Sequence, residues 1–129
     1  MSGLGTLAET EVLDLVLRGT VYPKLAVTRM SLHSANPGDA GSNELVNVVG
    51  STYARQICSF AAAAGGQAAL SAPVTFTYLP SGPVPYLGLW TTAGEFRGSV
   101  ASGLSTPLVF GASIIVSTDT IFEIVRKVD

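Results

Sequence analysis

The chain has 129 residues, of which 47% are hydrophobic and only 12% are charged, and its formal net charge is −2 at pH 7. This length fits one domain with a single core, and no apolar run approaches the ~18 residues that a transmembrane helix needs. The seven Lys and Arg residues are scattered rather than concentrated as a nucleic-acid-binding surface requires, so we expect neither a membrane nor a nucleic acid as partner.

A capped helix is predicted near the N-terminus. Thr6 and Glu9 fit a capping box, in which each side chain binds the backbone N–H of the other residue. Arg18 falls in the last turn, where the helix dipole favours a cation, and Gly19 supplies a C-terminal stop. The pattern therefore predicts a helix over Leu7–Arg18. The first residues lack the basic start of a signal peptide, so we expect a protein made and assembled in a cytoplasm.

The apolar residues of this helix cover more than one narrow stripe. One face could pack on the domain and another on a neighbouring subunit; the alternative is that all of them plug the end of the domain's own core. We predict an N-terminal helical arm over residues 1–22 and a β-sandwich domain over residues 23–129. The candidate interface residues on the helix are Val12, Leu13, Val16 and Leu17.

Beyond residue 23 the helical pattern gives way to short alternating runs separated by Gly, Pro, Asn and Asp. In the run Thr75–Leu79, alternation puts Phe76 and Tyr78 on the same face as Val74. Seven or eight such strands with one N-terminal α-helix predict an all-β fold, a β-sandwich of the jelly-roll or immunoglobulin-like kind. The other predicted strands are Ala26–His33, Tyr53–Phe60, Tyr86–Thr91, Glu95–Ala101, Ala112–Thr118 and Ile121–Arg126.

The stretch from Ser31 to Phe60 reads SLHSANPGDAGSNELVNVVGSTYARQICSF, with a turn-rich middle between two alternating segments. Its order of Leu-His, Asn-Pro-Gly-Asp-Ala-Gly, Asn-Glu and Tyr-Ala-Arg-Gln resembles a motif of small structural proteins of tailed bacteriophages, whose usual form is LHTADPG, TGANE and a YAR strand. A weaker likeness continues through Leu87–Trp90, Gly94 and Phe96. The motif residues of this chain are Leu32, His33, Ala35, Pro37, Gly38, Gly41, Asn43, Glu44, Tyr53, Ala54, Arg55 and Gln56.

The chain departs from the usual form of the motif in two places. Ser34 stands where Thr is typical and keeps a hydroxyl beside the turn. Between Glu44 and Tyr53 the usual form has a short Gly-rich link, whereas this chain carries an apolar insert. The insert consists of Leu45, Val46, Val48 and Val49.

The segment Asn36–Glu44, which we call the motif loop, is expected to form local hydrogen bonds. Asn36 and Asp39 are expected to stabilise turns through side-chain to backbone hydrogen bonds, while Gly38 and Gly41 take positive φ. Glu44 is expected to tie the loop to the domain through a backbone N–H or through a bidentate pair with Arg55. The motif residues are thus predicted to form a structural loop.

No catalytic set, metal site or cofactor is predicted. His33 is the only histidine and no GxSxG pattern occurs, so a catalytic triad would require His33 itself. Cys58 is the only cysteine, which excludes an intrachain disulfide, and we expect it to be buried. For the segment Asn36–Glu44 the alternative to turn stabilisation is a Ca²⁺ site. For Trp90 the alternative to core packing is a sugar-stacking platform.

The resemblance implies a virion part, and low charge favours a protein that buries much of its exterior in an assembly. The first hypothesis is a non-enzymatic capsid decoration (cement) protein on the capsid exterior, a homotrimer that binds the phage major capsid protein. The second is a minor tail, baseplate or fibre protein that contacts the host surface. The third, from another class, is a carbohydrate-binding or carbohydrate-active β-sandwich module that uses Trp90 and the loop carboxylates.

Overall fold

Antiparallel strands, most of them short, make up most of the regular secondary structure of the described residues. The computed structural model describes residues 3–4, 6–19, 26–65, 67–118 and 121–123. These residues form one helix, α1 (Thr6–Arg18), which follows the first of nine strands. The strands are β1 (Gly3–Leu4), β2 (Arg29–His33), β3 (Gln56–Ile57), β4 (Gln67–Ala69), β5 (Val74–Leu79), β6 (Tyr86–Trp90), β7 (Phe96–Ala101), β8 (Ala112–Val116) and β9 (Ile121–Glu123).

The strands are arranged in one large and two small sheets. The large sheet has the order β1-β7-β6-β2-β3, and the pairs β4-β9 and β5-β8 form two-stranded sheets. All of these pairings are antiparallel. One hydrophobic cluster joins the inner faces, because Met30, Leu32 and Leu87 of the large sheet pack with Val74 and Phe76 of β5. The predicted all-β, sandwich-like fold with one N-terminal helix is confirmed.

Both faces of β2 are buried, which is unusual for a strand of an antiparallel sheet. Met30 and Leu32 face the hydrophobic cluster, whereas Ser31 and His33 face the opposite side and are also fully buried. The segment that follows β2 folds back on the strand, where Glu44 forms a bridge with His33. The motif loop therefore covers the outer face of the large sheet.

The predicted alternation of β5 is wrong at its last two residues. Tyr78 points outward instead of sharing the face of Phe76, and Leu79, which alternation places on the opposite face with Thr75 and Thr77, is buried like Val74 and Phe76. The register with β8 shifts between Phe76 and Leu79, so this strand contains a β-bulge, and Tyr78 has a φ of 52°. A bulge adds one residue to a strand and re-aims the side chains beside it. Strict alternation cannot predict that change.

Other strand predictions differ mainly in length. The run Tyr53–Phe60 contributes only β3 and a single bridge at Phe60. The short strands β1 and β4 were not predicted, because neither shows apolar alternation. The described part of the chain does not include the side chains of Thr6 and Glu9, the segment 20–25, or residues 66, 119–120 and 124–129. Within that part, α1 is too short to cross a bilayer.

Candidate functional site

The motif loop is held in shape by turn residues near its start and end. Asn36 accepts a hydrogen bond from the Gly38 backbone N–H at 2.9 Å, as predicted, and the Asn43 side-chain amide donates to the Asn36 carbonyl at 2.9 Å. Gly38, Gly41 and Asn43 have φ of 65°, 78° and 62°, in the left-handed region where Gly and Asn are favoured. The segment that follows the loop is held against β2 by Leu45, whose N–H donates to the Leu32 carbonyl at 2.8 Å.

Close packing beneath the loop requires glycine at Gly41. A Cβ built on Gly41 would lie 2.6 Å from the Trp90 ring and 2.8 Å from the Phe96 ring. The two rings pack edge to face, with centroids 5.1 Å apart. Trp90 is only 7% exposed, so it belongs to the packed interior and offers no sugar-stacking platform.

A buried chain of hydrogen bonds runs from the indole to the loop. The Trp90 Nε1–H donates to Ser31 Oγ at 2.7 Å, Ser31 Oγ lies 2.6 Å from His33 Nε2, and His33 Nδ1 lies 2.7 Å from the Ser42 carbonyl oxygen. A carbonyl only accepts, so Nδ1 carries the proton, and Nε2 then accepts from the Ser31 hydroxyl. Burial lowers the pKa of His33, and the nearby Ser42 carbonyl opposes this only in part. The arrangement holds a neutral imidazole.

A second polar group lies beside this chain and contains the predicted Glu44–Arg55 pair. Arg55 binds Glu44 through two hydrogen bonds, Nε to Oε2 at 3.0 Å and Nη2 to Oε1 at 2.8 Å. The Tyr53 hydroxyl donates to Glu44 Oε2 at 2.7 Å and accepts from the Leu32 N–H at 3.1 Å. The Arg55 guanidinium also lies 3.5 Å from the centroid of the Trp90 ring, a cation–π contact. The bidentate pair is thus confirmed.

The electrostatics of this group favour the ion pair. Burial alone would raise the pKa of Glu44, but the hydrogen bonds from Arg55 and Tyr53 and the charge of Arg55 outweigh it and leave the pKa lowered. The pKa of Tyr53 is raised by burial and by the neighbouring carboxylate, so its hydroxyl keeps its proton. The pKa of Arg55 is raised mainly by its hydrogen bonds with Glu44. The contacts among these three groups therefore favour an ionised Glu44, a protonated Tyr53 and a charged Arg55.

The motif residues are therefore joined to one another and to Ser31, Trp90 and Phe96. Every polar group described above has a partner inside the protein, which leaves no free base beside a free nucleophile. Burial raises the pKa of the Cys58 thiol to about 11, so this side chain behaves as a small hydrophobe. Among the described residues, no three His, Cys, Asp or Glu side chains are grouped so that they could hold a metal ion. The hydrogen bonds, ion pair and ring contacts of this cluster link the motif loop to the large sheet.

The candidate interface residues of α1 present an inverted pattern of burial. Leu13, Val16 and Leu17 are 57%, 72% and 74% exposed, whereas Glu11 is buried against β7. Glu11 forms an ion pair with Arg97, whose Nη2 lies 3.3 Å from Glu11 Oε1. A helix that docks on its own domain normally does so through its apolar stripe. α1 instead turns Glu11 inward and the apolar side chains of its last turns outward. Val12, the fourth candidate, is half-buried.

A second apolar surface was not predicted from the sequence. In the apolar insert, Leu45 points into the core but Val49 is fully exposed. The turn that follows this valine contacts Phe110, because a Cβ on Gly50 would lie 3.2 Å from the Phe110 ring. Phe110 packs edge to face against Tyr78, with centroids 6.4 Å apart. We call this surface the valine–aromatic patch; its residues are Val48, Val49, Tyr78, Val109 and Phe110, all at least 47% exposed.

Comparison with known proteins places the chain in a family. The family model described as podophage GP4 fiber I protein gp80 matches residues 3–117. The match covers most of the sequence, so the chain belongs to this family and is a structural protein of a phage virion. No curated protein matches the chain.

Proposed function

We propose that this family member is a fibre subunit of a phage virion, which acts by assembly rather than by catalysis. The observation that carries the proposal is the match of residues 3–117 to a family described by a fibre protein. On sequence alone, capsid decoration was the first hypothesis and the fibre the second, although the motif is shared by several kinds of virion protein and does not choose between them. The family match favours the fibre.

The geometry supports an assembly role in two ways. The titratable groups of the motif form hydrogen bonds with one another or with the backbone and so stabilise the fold. These groups are His33, Glu44, Tyr53 and Arg55. The exposed apolar side chains lie elsewhere, on α1 and on the valine–aromatic patch. Contiguous apolar groups on a protein surface mark sites of interaction with other proteins.

Labelling of intact virions tests the fibre assignment. Phage particles are purified, incubated with gold-conjugated antibody against the recombinant chain, and imaged by electron microscopy. Label confined to fibres that project from the particle supports the proposal. Label spread over the whole shell surface contradicts it and favours decoration. Particles from a mutant phage that lacks the gene serve as the control for antibody specificity.

Capsid decoration remains the second candidate because low charge and exposed apolar groups also suit a protein that covers shell subunits. That function requires a direct contact with the phage major capsid protein. Binding of the purified chain to empty shells, followed by sedimentation, tests this contact. Saturable binding in proportion to shell subunits would support decoration, whereas chain left entirely in the supernatant would favour the fibre.

A further inference from the structure

We propose that the motif loop is an acid-sensitive latch, which is closed on the outer face of the large sheet while His33 is neutral and opens when His33 gains a proton. The hydrophobic cluster on the opposite face of the sheet stays folded in both states. The latch lies within one chain, so it operates in a fibre subunit and in a decoration protein alike.

In the closed state, each hydrogen in the buried chain between Trp90 and the loop has a defined acceptor. The Trp90 indole N–H donates to Ser31 Oγ at 2.7 Å, and the Ser31 hydroxyl donates to His33 Nε2 at 2.6 Å. The His33 Nδ1–H donates to the Ser42 carbonyl at 2.7 Å. Because Nδ1 already carries a hydrogen, an added proton must bind to Nε2.

A proton on Nε2 disrupts this chain at Ser31. Both hydrogen-bonding partners of Ser31 Oγ, Trp90 Nε1 and His33 Nε2, are then donors, so the hydroxyl hydrogen of Ser31 loses its acceptor. Water has no access in the closed state, because Ser31 and His33 are fully buried and a Cβ on Gly88 would lie only 2.3 Å from Ser31 Oγ. A buried donor without an acceptor and a buried cation without hydration both destabilise the closed state.

The charges around His33 do not compensate for its burial. Glu44 favours the protonated imidazole and Arg55 opposes it, so these two charges act against each other. Burial is the largest influence on the pKa of His33 and lowers it from 6.5. The titratable side chains of the elements packed around His33 are Asp39 and Glu44 of the loop, Tyr53 and Arg55 beside β3, Tyr86 of β6, and Arg97 of β7, which is paired with Glu11.

The motif loop is the element that can move to hydrate a charged His33. Apart from Pro37 and Gly41, its residues are at least partly exposed. The loop covers the outer face of β2, whereas Met30 and Leu32 of the same strand belong to the hydrophobic cluster on the inner face. Segments with few buried apolar contacts open locally at a lower free energy than the whole fold. Opening of the loop therefore hydrates His33 without separating the sheets.

The Glu44 end of the loop stays attached in the pH range where His33 gains its proton. Glu44 accepts hydrogen bonds from Tyr53 and Arg55, and its pKa is lowered from 4.5, so it remains ionised and paired above that value. In the open state His33 is hydrated and regains its ordinary pKa of 6.5. The ratio of open to closed chains therefore rises by up to about tenfold for each pH unit below 6.5, until the closed state also binds the proton.

Amide hydrogen exchange of the full chain, followed by NMR between pH 7.5 and 5 and corrected for intrinsic rates, tests the latch. The Ser34 N–H, which donates to the Asn43 carbonyl, and the Trp90 indole N–H report on the loop. The Cys58 N–H, which donates to the Thr28 carbonyl, reports on the core. We expect protection at Ser34 and Trp90 to fall by up to about tenfold for each pH unit below 6.5, relative to Cys58. Constant protection at Ser34, or an equal loss at all three sites, would overturn the proposal.

Quenching of Trp90 fluorescence by acrylamide provides an independent measurement, because Trp90 is the only tryptophan and is 7% exposed in the closed state. We expect the quenching constant to rise between pH 7 and 5 in the unchanged chain and in the control Ser113→Ala, which keeps His33. In His33→Gln, which cannot gain the proton, the constant should not change. An equal rise in this variant would overturn the latch. If His33→Gln does not fold, NMR titration of His33 in the unchanged chain decides, and an ordinary pKa of 6.5 with no change at Ser34 would overturn the latch.

Discussion

At the scale of single residues, the motif is a set of close contacts in which a glycine at one position permits a polar side chain at another. Gly88 of β6 pairs with Ser31 of β2 in the large sheet. A Cβ on Gly88 would lie 2.3 Å from Ser31 Oγ and 2.4 Å from His33 Nε2. The hydrogen-bonded pair of Ser31 and His33 therefore occupies the space that a side chain on Gly88 would take.

We expect Gly88→Ala to destabilise the fold by about 1–3 kcal/mol, because the added methyl group must displace two buried, hydrogen-bonded side chains. Urea unfolding followed by fluorescence of Trp90 measures the change. Ser113→Ala on the exposed face of β8 is the control and should change the free energy of unfolding by less than about 0.5 kcal/mol. Equal stability of the two variants would show that Ser31 and His33 shift aside without loss.

The pH dependence of stability follows from His33 and Glu44. Burial lowers the pKa of His33 in the folded state from its ordinary value of 6.5, so the unfolded chain binds a proton first as pH falls. The stability contributed by the neutral imidazole is complete above pH 6.5 and declines below it. The pKa of Glu44 is also lowered, from 4.5, so its contribution declines in a second window below that value.

We therefore expect the free energy of unfolding to fall in two steps as the pH is reduced from 8 to 3. His33→Gln keeps a donor and an acceptor at this position but does not titrate, so this variant should lose the step that begins near pH 6.5 and keep the lower one. Urea unfolding at a series of pH values tests this. An unchanged upper step in the variant would assign that step to another group.

At the scale of elements, α1 contacts the sheet through a buried charged group, Glu11, while Leu13, Val16 and Leu17 are exposed. The Arg97 side chain is 2% exposed and is paired with Glu11, and Glu95 lies 3.6 Å away. Removing one partner of a buried ion pair leaves an uncompensated charge in the interior. The Glu11 carboxylate is therefore one of the groups that hold α1 on β7.

We expect Glu11→Gln to destabilise the protein by about 3 kcal/mol, near the lower limit for a broken buried pair because Glu95 remains close to the guanidinium. Arg18→Gln is the matched control. The Arg18 side chain is 72% exposed and pairs with Asp14 of the same helix at 3.6 Å, and such an i,i+4 pair contributes about 0.3–0.5 kcal/mol. Thermal melting of both variants gives the comparison, and similar melting temperatures would contradict the anchoring role of Glu11.

The elements show which contacts a sequence can reveal. The pairing of Glu44 with Arg55 was predictable because the two residues lie 11 positions apart in one motif. Alternation also predicted β5, β6 and β8 nearly to their observed ends. The Glu11–Arg97 pair joins residues 86 positions apart, and the Trp90–Ser31 bond joins residues 59 positions apart. Such partners depend on the order of strands in the sheet, which local periodicity does not contain.

At the scale of the whole molecule, the chain combines a strongly bonded interior with a surface of low charge. Strictly alternating strands and capped helices are predicted from local rules, but the exposure of an apolar residue is a property of the assembled fold. Leu13 and Val16 fit a core-facing stripe equally well by spacing, but in the fold both are exposed and Glu11 is buried. The same holds for Tyr78, whose outward direction depends on the bulge in β5.

A chain that begins at Tyr22 tests whether the arm of residues 1–22 serves assembly or the core. The truncation removes β1 from the edge of β7 and removes Glu11, but it also opens Arg97 to water, which hydrates the charge that would otherwise be buried. The hydrophobic cluster is formed by residues beyond position 26 and should persist. We therefore expect the truncated chain to keep its β circular dichroism, to melt at a lower temperature, and to be monomeric at concentrations where the full chain associates. Loss of the β signal would show that the arm is needed for folding. Multimers of the truncated chain would show that copies do not associate through α1.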